Sequence, residues 1–260
     1  MLRQLELWDH KDEAREWAVR PSVRARRLSV RVFRDGGVEI VVPPRTSPQR
    51  VSAFVAQHRE WIERQRRRSG PREESPFPPA SLQLAAIGES WSCTAVPDSG
   101  RVRVIEEFPG RLRLLGPLHH AETLRQRLRD WLLQHAGVRL EPPLRQLSAE
   151  MGVCVQRLQL RYQRTRWGSC SRRGTISLNV CVLFQRPEVL RYLLVHELSH
   201  LRHMNHSQRF WDHVGRFEPE WQRLDVELLQ GWRLVPSWLF NRVRPQWATP
   251  AAAAAMAPAP

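Results

Sequence analysis

The sequence predicts an α+β protein, and three observations carry that expectation. Short alternating apolar runs, broken by Gly and Pro, crowd residues 23–116, which suits a small antiparallel β region with one helix. Apolar residues recur at three- and four-residue spacing through most of residues 117–245, which suits helices around a short sheet. The ends differ from both: residues 1–22 are polar, and residues 246–260 form an Ala/Pro tail of low complexity, expected to be disordered.

The elements follow in order. Leu28, Val30 and Val32 alternate with polar residues, Asp35-Gly36-Gly37 turns the chain, and Val38, Ile40 and Val42 return it, as in a β-hairpin. Ser47 suits an N-cap and Pro48 the first turn of a helix that carries Val51, Phe54, Val55, His58, Trp61 and Ile62 on one side. Cations at Arg64–Arg68 suit its C-terminus. Ser69–Ala80, rich in Pro and charge, is a linker or long loop. Leu82–Leu84, Trp91–Val96, Val102–Ile105 and Leu112–Leu115 are short strands, expected to form one small antiparallel sheet with the first hairpin. Ala121–Ala136 is a helix stopped by Gly137, and Pro142-Pro143 opens another that ends at Gly152. Val153–Arg161 and Thr175–Val180 are strands on either side of the loop Arg164–Ser171. Pro187 begins the next helix, Ser207 caps a further one, and Pro219 starts the last. Trp232–Val243 is apolar and irregular.

Composition narrows the class. No run of about 18 apolar residues occurs, so no membrane span is expected. Met1–Glu16 mixes charges and lacks the apolar segment of a signal peptide. Cys93, Cys154, Cys170 and Cys181 form no CxxC pair, so reduced thiols in a cytoplasmic protein are expected. The formal net charge is +15, nearly all from Arg, with Lys11 the only lysine. Such a field favours an acidic partner or nucleic acid, although no nucleic-acid-binding motif accompanies it. Arg24, Arg26, Arg27, Arg31 and Arg34 flank the first hairpin as a solvated strand face would.

One stretch carries chemistry: His196-Glu197-Leu198-Ser199-His200, followed by His206. On a helix His196 and His200 lie about 40° apart and one turn apart, so both imidazoles can reach one ion. Leu190, Leu193, Leu194, Leu198 and Leu201 then form an apolar anchor opposite. Glu197 sits about 60° from His200, too far round for a third ligand but well placed to take a proton from water as general base. A catalytic zinc wants three protein ligands and an open position. His203, on a continuing helix, would lie about 10.5 Å along the axis from His196. His206 converges better if the chain turns back at Met204-Asn205, where Asn tolerates the left-handed conformation. The expected ligands are therefore His196, His200 and His206, and the expected cofactor is Zn2+.

Arg166-Trp167-Gly168-Ser169-Cys170-Ser171, Gly174–Asn179, the HExxH of His196–His200, Met204-Asn205-His206-Ser207 and Phe210-Trp211 form an ordered set. It closely resembles the YgjP-like zinc metallopeptidases, related to the WLM and SprT groups. The resemblance implies a gluzincin-like, zincin-type core over residues 117–245 and a peptide or protein substrate. It also implies hydrolysis by a zinc-activated water, with the metal at His196, His200 and His206 and Glu197 as the base. The Gly that metzincins carry between the second and third histidines is absent, and Arg202–Asn205 fill the interval. Trp167, Gly168, Ser169, Ile176 and Asn179 are candidate substrate contacts if the loop and strand form a cleft wall on which a peptide adds as a strand. The plainer reading is that Trp167 packs beneath the helix and Gly168 permits a turn. Cys170 has no dedicated base beside it in sequence and is not expected to be a nucleophile. Two other functions remain open on the residues alone. One is a metal-dependent hydrolase of nucleotides or other phosphate-containing substrates, since the metal site does not choose the electrophile. The other is a non-catalytic zinc-containing binding module, against which the intact Glu197 counts.

Overall fold

The computed structural model describes residues 17–33, 37–68, 75–108, 110–117 and 119–240. The expected polar stretch over residues 1–16, the Asp35-Gly36 turn, residues 69–74 of the linker and the Ala/Pro tail lie outside the described residues. The fold is α+β, as predicted, in two compact units, Met1–Glu73 and Glu74–Pro260.

The first unit is a three-stranded sheet with one helix. β2 (Ser29–Val32) and β3 (Val38–Val42) pair antiparallel, Ser29 opposite Val41 and Val32 opposite Val38. A further strand, β1 (Trp17–Pro21), pairs parallel with β3, so residues 17–21 are not the weakly ordered stretch expected. Parallel partners are remote in sequence, and a short strand closing a hairpin's open edge leaves little local signal. β3 is central, and Ile40 packs with Val51 and Val55 of α1 (Pro48–Arg68). Of the predicted helical stripe, Val51, Val55 and Ile62 are buried while Trp61 is exposed.

The second unit contains two more sheets. β4 (Ser81–Leu84), β5 (Glu89–Pro97), β6 (Arg103–Phe108) and β7 (Arg111–Gly116) run in the order β4-β5-β7-β6, with β5 and β7 parallel. These strands do not join the first hairpin. Leu82, Leu84, Trp91, Leu112 and Leu114 belong instead to one core with Leu124, Leu128 and Leu132 of α2 (Ala121–Glu150). The boundary expected near residue 116 thus falls inside a packed unit. α2 also corrects the expected pair of helices, because it runs unbroken through Gly137, Pro142 and Pro143. Each proline costs a helix about 3 kcal/mol. The fully buried Leu140 and Leu144 and the nearly buried Leu147 recover about 2 kcal/mol apiece, so burial offsets the break.

β8 (Arg157–Arg161), β9 (Gly168–Cys170) and β10 (Thr175–Asn179) form the last sheet, in the order β8-β10-β9. α3 (Pro187–Ser199), α4 (Gln208–Phe217) and α5 (Trp221–Gln230) follow. The irregular stretch after α5 forms two short 3₁₀ segments that bury Trp232, Trp238 and Leu239. There the unit clasps its own beginning. The Ser75 amide donates to Ser237 Oγ at 2.9 Å, the Ser237 amide donates to Ser75 Oγ at 3.2 Å, and Phe77 meets the ring of Trp238. No helix among the described residues is long and apolar enough to cross a membrane.

Candidate metal centre

The centre is built on α3. Pro187 opens the helix, where its missing N–H costs nothing. Val189, Leu190, Tyr192, Leu193, Leu194, Val195 and Leu198 are each no more than 5% exposed, so the helix is embedded rather than laid on the surface. His196 and His200 project together, ring centroids 5.1 Å apart. The helix ends at Ser199, one residue before His200. Residues 201–203 unwind through tight turns, with amide bonds from Leu201 to Leu198 O and from Arg202 and His203 to Ser199 O. This brings His206 back to within 3.1 Å of His196, Nε2 to Nε2. The return needs no left-handed residue: Arg45 is the only described non-glycine with positive φ, so the role expected of Asn205 is not used.

One ligand atom from each of His196, His200 and His206 lies within 4.8 Å of the other two. Ligands on a tetrahedral zinc sit about 3.3 Å from one another. The set therefore fits an ion with small adjustments, and the lone pairs are directed for it. His200 Nδ1 donates to the carbonyl of His203 at 3.1 Å, which leaves Nε2 free to accept a metal. His203 thus contributes its backbone, not its imidazole. His196 Nδ1 lies 3.3 Å from the Tyr192 hydroxyl, which donates to Asp225 Oδ1 at 2.7 Å. With its proton committed to Asp225, the hydroxyl can only accept from His196, which fixes the same tautomer. Burial, followed by the neighbouring His200 and His206, pushes His196 down to about 3; burial also lowers His200. Both imidazoles stay neutral, as ligands must. Beneath the three rings lies Phe210, fully buried, with centroids 4.6–5.0 Å away. His206 is exposed and is steadied by stacking on Trp211, which stacks in turn on Trp221.

Glu197 is 4% exposed, its Oε2 has no hydrogen-bond partner, and burial pushes its carboxyl up to about 8, against a smaller opposing pull from Arg166. Gly168 makes room for it. A Cβ at Gly168 would lie 2.3 Å from Glu197 Oε1, 2.7 Å from Cδ and 2.8 Å from Cγ. The glycine is needed for close approach of β9 to α3, rather than for the turn the sequence suggested.

β9 is an edge strand. The Asn179 amide donates to Trp167 O and the Ser171 amide to Thr175 O, so Trp167, Ser169 and Ser171 direct their backbone groups toward β10. Alternation then turns the amides and carbonyls of Gly168 and Cys170 outward. It also places the Cys170 side chain on the Glu197 side and that of Ser169 on the opposite face. Of the five expected substrate contacts, Gly168 alone borders the centre. Ile176 is fully buried in the core. Asn179, also fully buried, donates to the carbonyls of Gln163 and Arg166 and accepts from the Cys181 amide, so it ties the loop together. Trp167 is 6% exposed and packs on Trp232, 4.4 Å between centroids. Burial, with a smaller push from Glu197, raises the Cys170 thiol to about 11, which keeps it protonated. Tyr192 and Asp225 went unmarked in the sequence, and Phe210, quoted there only as part of the ordered set, had no role assigned. Tyr192, four residues before His196, was detectable as a same-face neighbour; Asp225 reaches it from another helix and had no local signal.

Two solved structures resemble parts of the chain. One is the metallopeptidase zymogen abylysin of Pyrococcus abyssi, 27% identical, covering 34% of this chain and 90% of its own, with a TM-score of 0.32. The other is the metallopeptidase zymogen jannalysin of Methanocaldococcus jannaschii, 18% identical, covering 35% and 93%, with a TM-score of 0.31. No curated protein matches. The YgjP-like metallopeptidase domain matches residues 26–230, which include β2, β3, α1 and every element of the centre described above, and the chain belongs to that family.

Proposed function

We propose that this metallopeptidase is a zinc enzyme in which His196, His200 and His206 hold the ion and Glu197 is the general base. The observation that carries the proposal is three imidazole nitrogens within 4.8 Å of one another, with the Nδ1 atoms of His196 and His200 engaged elsewhere and the buried Glu197, next to His196 in the chain, keeping an unpartnered oxygen. When bound, zinc supplies Lewis acidity. Without a cation nearby Glu197 keeps its proton near neutral pH; ionised by the charge of a bound cation, it would take the proton of the attacking water on a carboxylate oxygen and return it to the departing amine nitrogen. Tyr192 and Asp225 hold the His196 ring, and the His203 carbonyl holds that of His200. An extended peptide adds beside β9, its backbone pairing with the outward amide and carbonyl groups of Gly168 and Cys170. The four free thiols fit a reducing compartment such as the cytoplasm.

A second reading is hydrolysis of a phosphate-containing substrate such as a nucleotide. It is favoured by Arg164, Arg166, Arg172 and Arg173, which flank β9 in sequence, and by the reach of the Arg166 charge to Glu197. A panel of peptides and nucleoside triphosphates, with zinc and with a chelator, separates the readings. Peptide cleavage that disappears on chelation supports the first. Chelator-sensitive turnover of the triphosphates alone overturns it.

A further inference from the structure

We propose that one end of the first unit is a surface for the phosphodiester backbone of nucleic acid. The strand order β1-β3-β2 puts β3 in the middle, so the 22–28 connection from β1 to β2 must pass the end of β3. Pro21 lies opposite Val42, Ser29 lies opposite Val41, and the Ser22 amide donates to Val42 O at 2.9 Å. The chain leaving β3 exits at the same end, turns through residues 43–47 and enters α1. Two connections and the start of a helix therefore share one end of a sheet about 10 Å wide.

Those segments carry Arg24, Arg26 and Arg27 on the first connection, Arg45 on the second and Arg50 in the first turn of α1. All five are exposed, and none has a carboxylate within ion-pair distance among the described residues. The nearby strand arginines behave differently, since Arg20 and Arg31 both lie against Glu39. No Asp or Glu occurs in residues 21–34 or 40–59, so the segments that form this end carry no carboxylate of their own. Thr46 Oγ1 donates to Pro43 O at 2.9 Å and closes the turn that holds Arg45 in the left-handed region, φ 61°.

The chemistry selects a phosphate-rich partner. Guanidinium forks match phosphate oxygens two at a time, and the patch contains Arg with no Lys. A membrane surface fits less well, because among the described residues Val23 is the one large apolar side chain exposed at this end. Four of the five arginines sit on connections and only Arg50 on the start of α1, so the patch contacts phosphates rather than base edges, and the binding is indifferent to sequence and acts through counterion release.

The test uses the full chain and a 20-base-pair duplex, as DNA and as RNA, by fluorescence anisotropy between 50 and 200 mM NaCl. The triple variant Arg24→Ala, Arg26→Ala, Arg27→Ala removes three contacts. Its slope of log affinity against log salt becomes shallower by about 2.7. Across that salt range the unaltered chain loses about 40-fold more affinity than the variant. A control variant, Arg101→Ala, Arg127→Ala, Arg233→Ala, removes the same charge from the second unit and leaves the slope within about 0.5. Thermal unfolding confirms that both variants are folded. Three results overturn the proposal: no duplex binding at 50 mM NaCl, a control variant that flattens the slope as much as the test variant, or equal binding to polyglutamate or anionic vesicles at matched charge.

Discussion

Gly168→Ala tests the closest contact in the centre. The added methyl meets three atoms of Glu197 at 2.3–2.8 Å, where ordinary contacts need more than 3 Å. The carboxylate tip could swing aside, but Cγ cannot do so without moving the side chain from its root, and Glu197 is only 4% exposed. Either Glu197 or β9 must therefore shift by about 1 Å, a displacement that can cost about 10²-fold in rate. Overpacking of this size destabilises by about 1–3 kcal/mol. The three closest atoms to the added methyl all belong to Glu197 and none to a histidine, so metal content should stay at one per chain. Turnover of a fluorogenic peptide, metal content by elemental analysis and urea unfolding give the three readouts. A Gly168→Ala enzyme within twofold of full activity refutes the argument that β9 and Glu197 are mutually fitted.

Further predictions follow from the same geometry. Glu197→Gln should lose at least about 10²-fold in turnover with metal still bound, and a fully active variant would remove its role as base. His196→Ala and His200→Ala should each abolish metal retention through gel filtration, and chelation of the unaltered protein should stop peptide cleavage until zinc is restored. Tyr192→Phe takes away the acceptor for His196 Nδ1, so zinc affinity in a chelator competition should fall about 10-fold; an unchanged constant would mean the hydroxyl does not position the ring. Asn179→Ala leaves two carbonyls and an amide without their partner, and should cost about 2–4 kcal/mol in denaturant unfolding.

The histidine cluster proposed to hold the metal was legible because helical periodicity converts sequence spacing into direction. His196 and His200 needed only the 3.6-residue turn, and His206 only the argument that three side chains cannot converge from one straight helix. What escaped was set by contacts between segments remote in sequence. Nothing near Gly168 announces that Glu197 will press against it. Nothing near Asp225 announces Tyr192. The β1 strand was hidden because its partner lies about twenty residues away, and α2 because Gly and Pro are local breakers that a continuous buried stripe can override. Asn179 and Trp167 looked like cleft residues because polar and aromatic side chains beside a motif invite that reading. Their burial assigns them to the scaffold of the loop.

The reciprocal bonds between Ser75 and Ser237 bring together the first and last stretches of the second unit's described residues, although 162 residues separate the two serines in sequence. A polypeptide whose ends meet can be re-cut. If Ser75 and a residue just beyond Ser237 are joined by a short Gly/Ser linker and the chain is opened in the exposed Pro97–Arg101 turn, the order of elements changes while every contact of the metal centre is kept. The same clasp sets a timing for synthesis. A ribosome that has released His196 through His206 has still not delivered Ser237 and Trp238, so the centre exists as sequence before the unit that holds it can close.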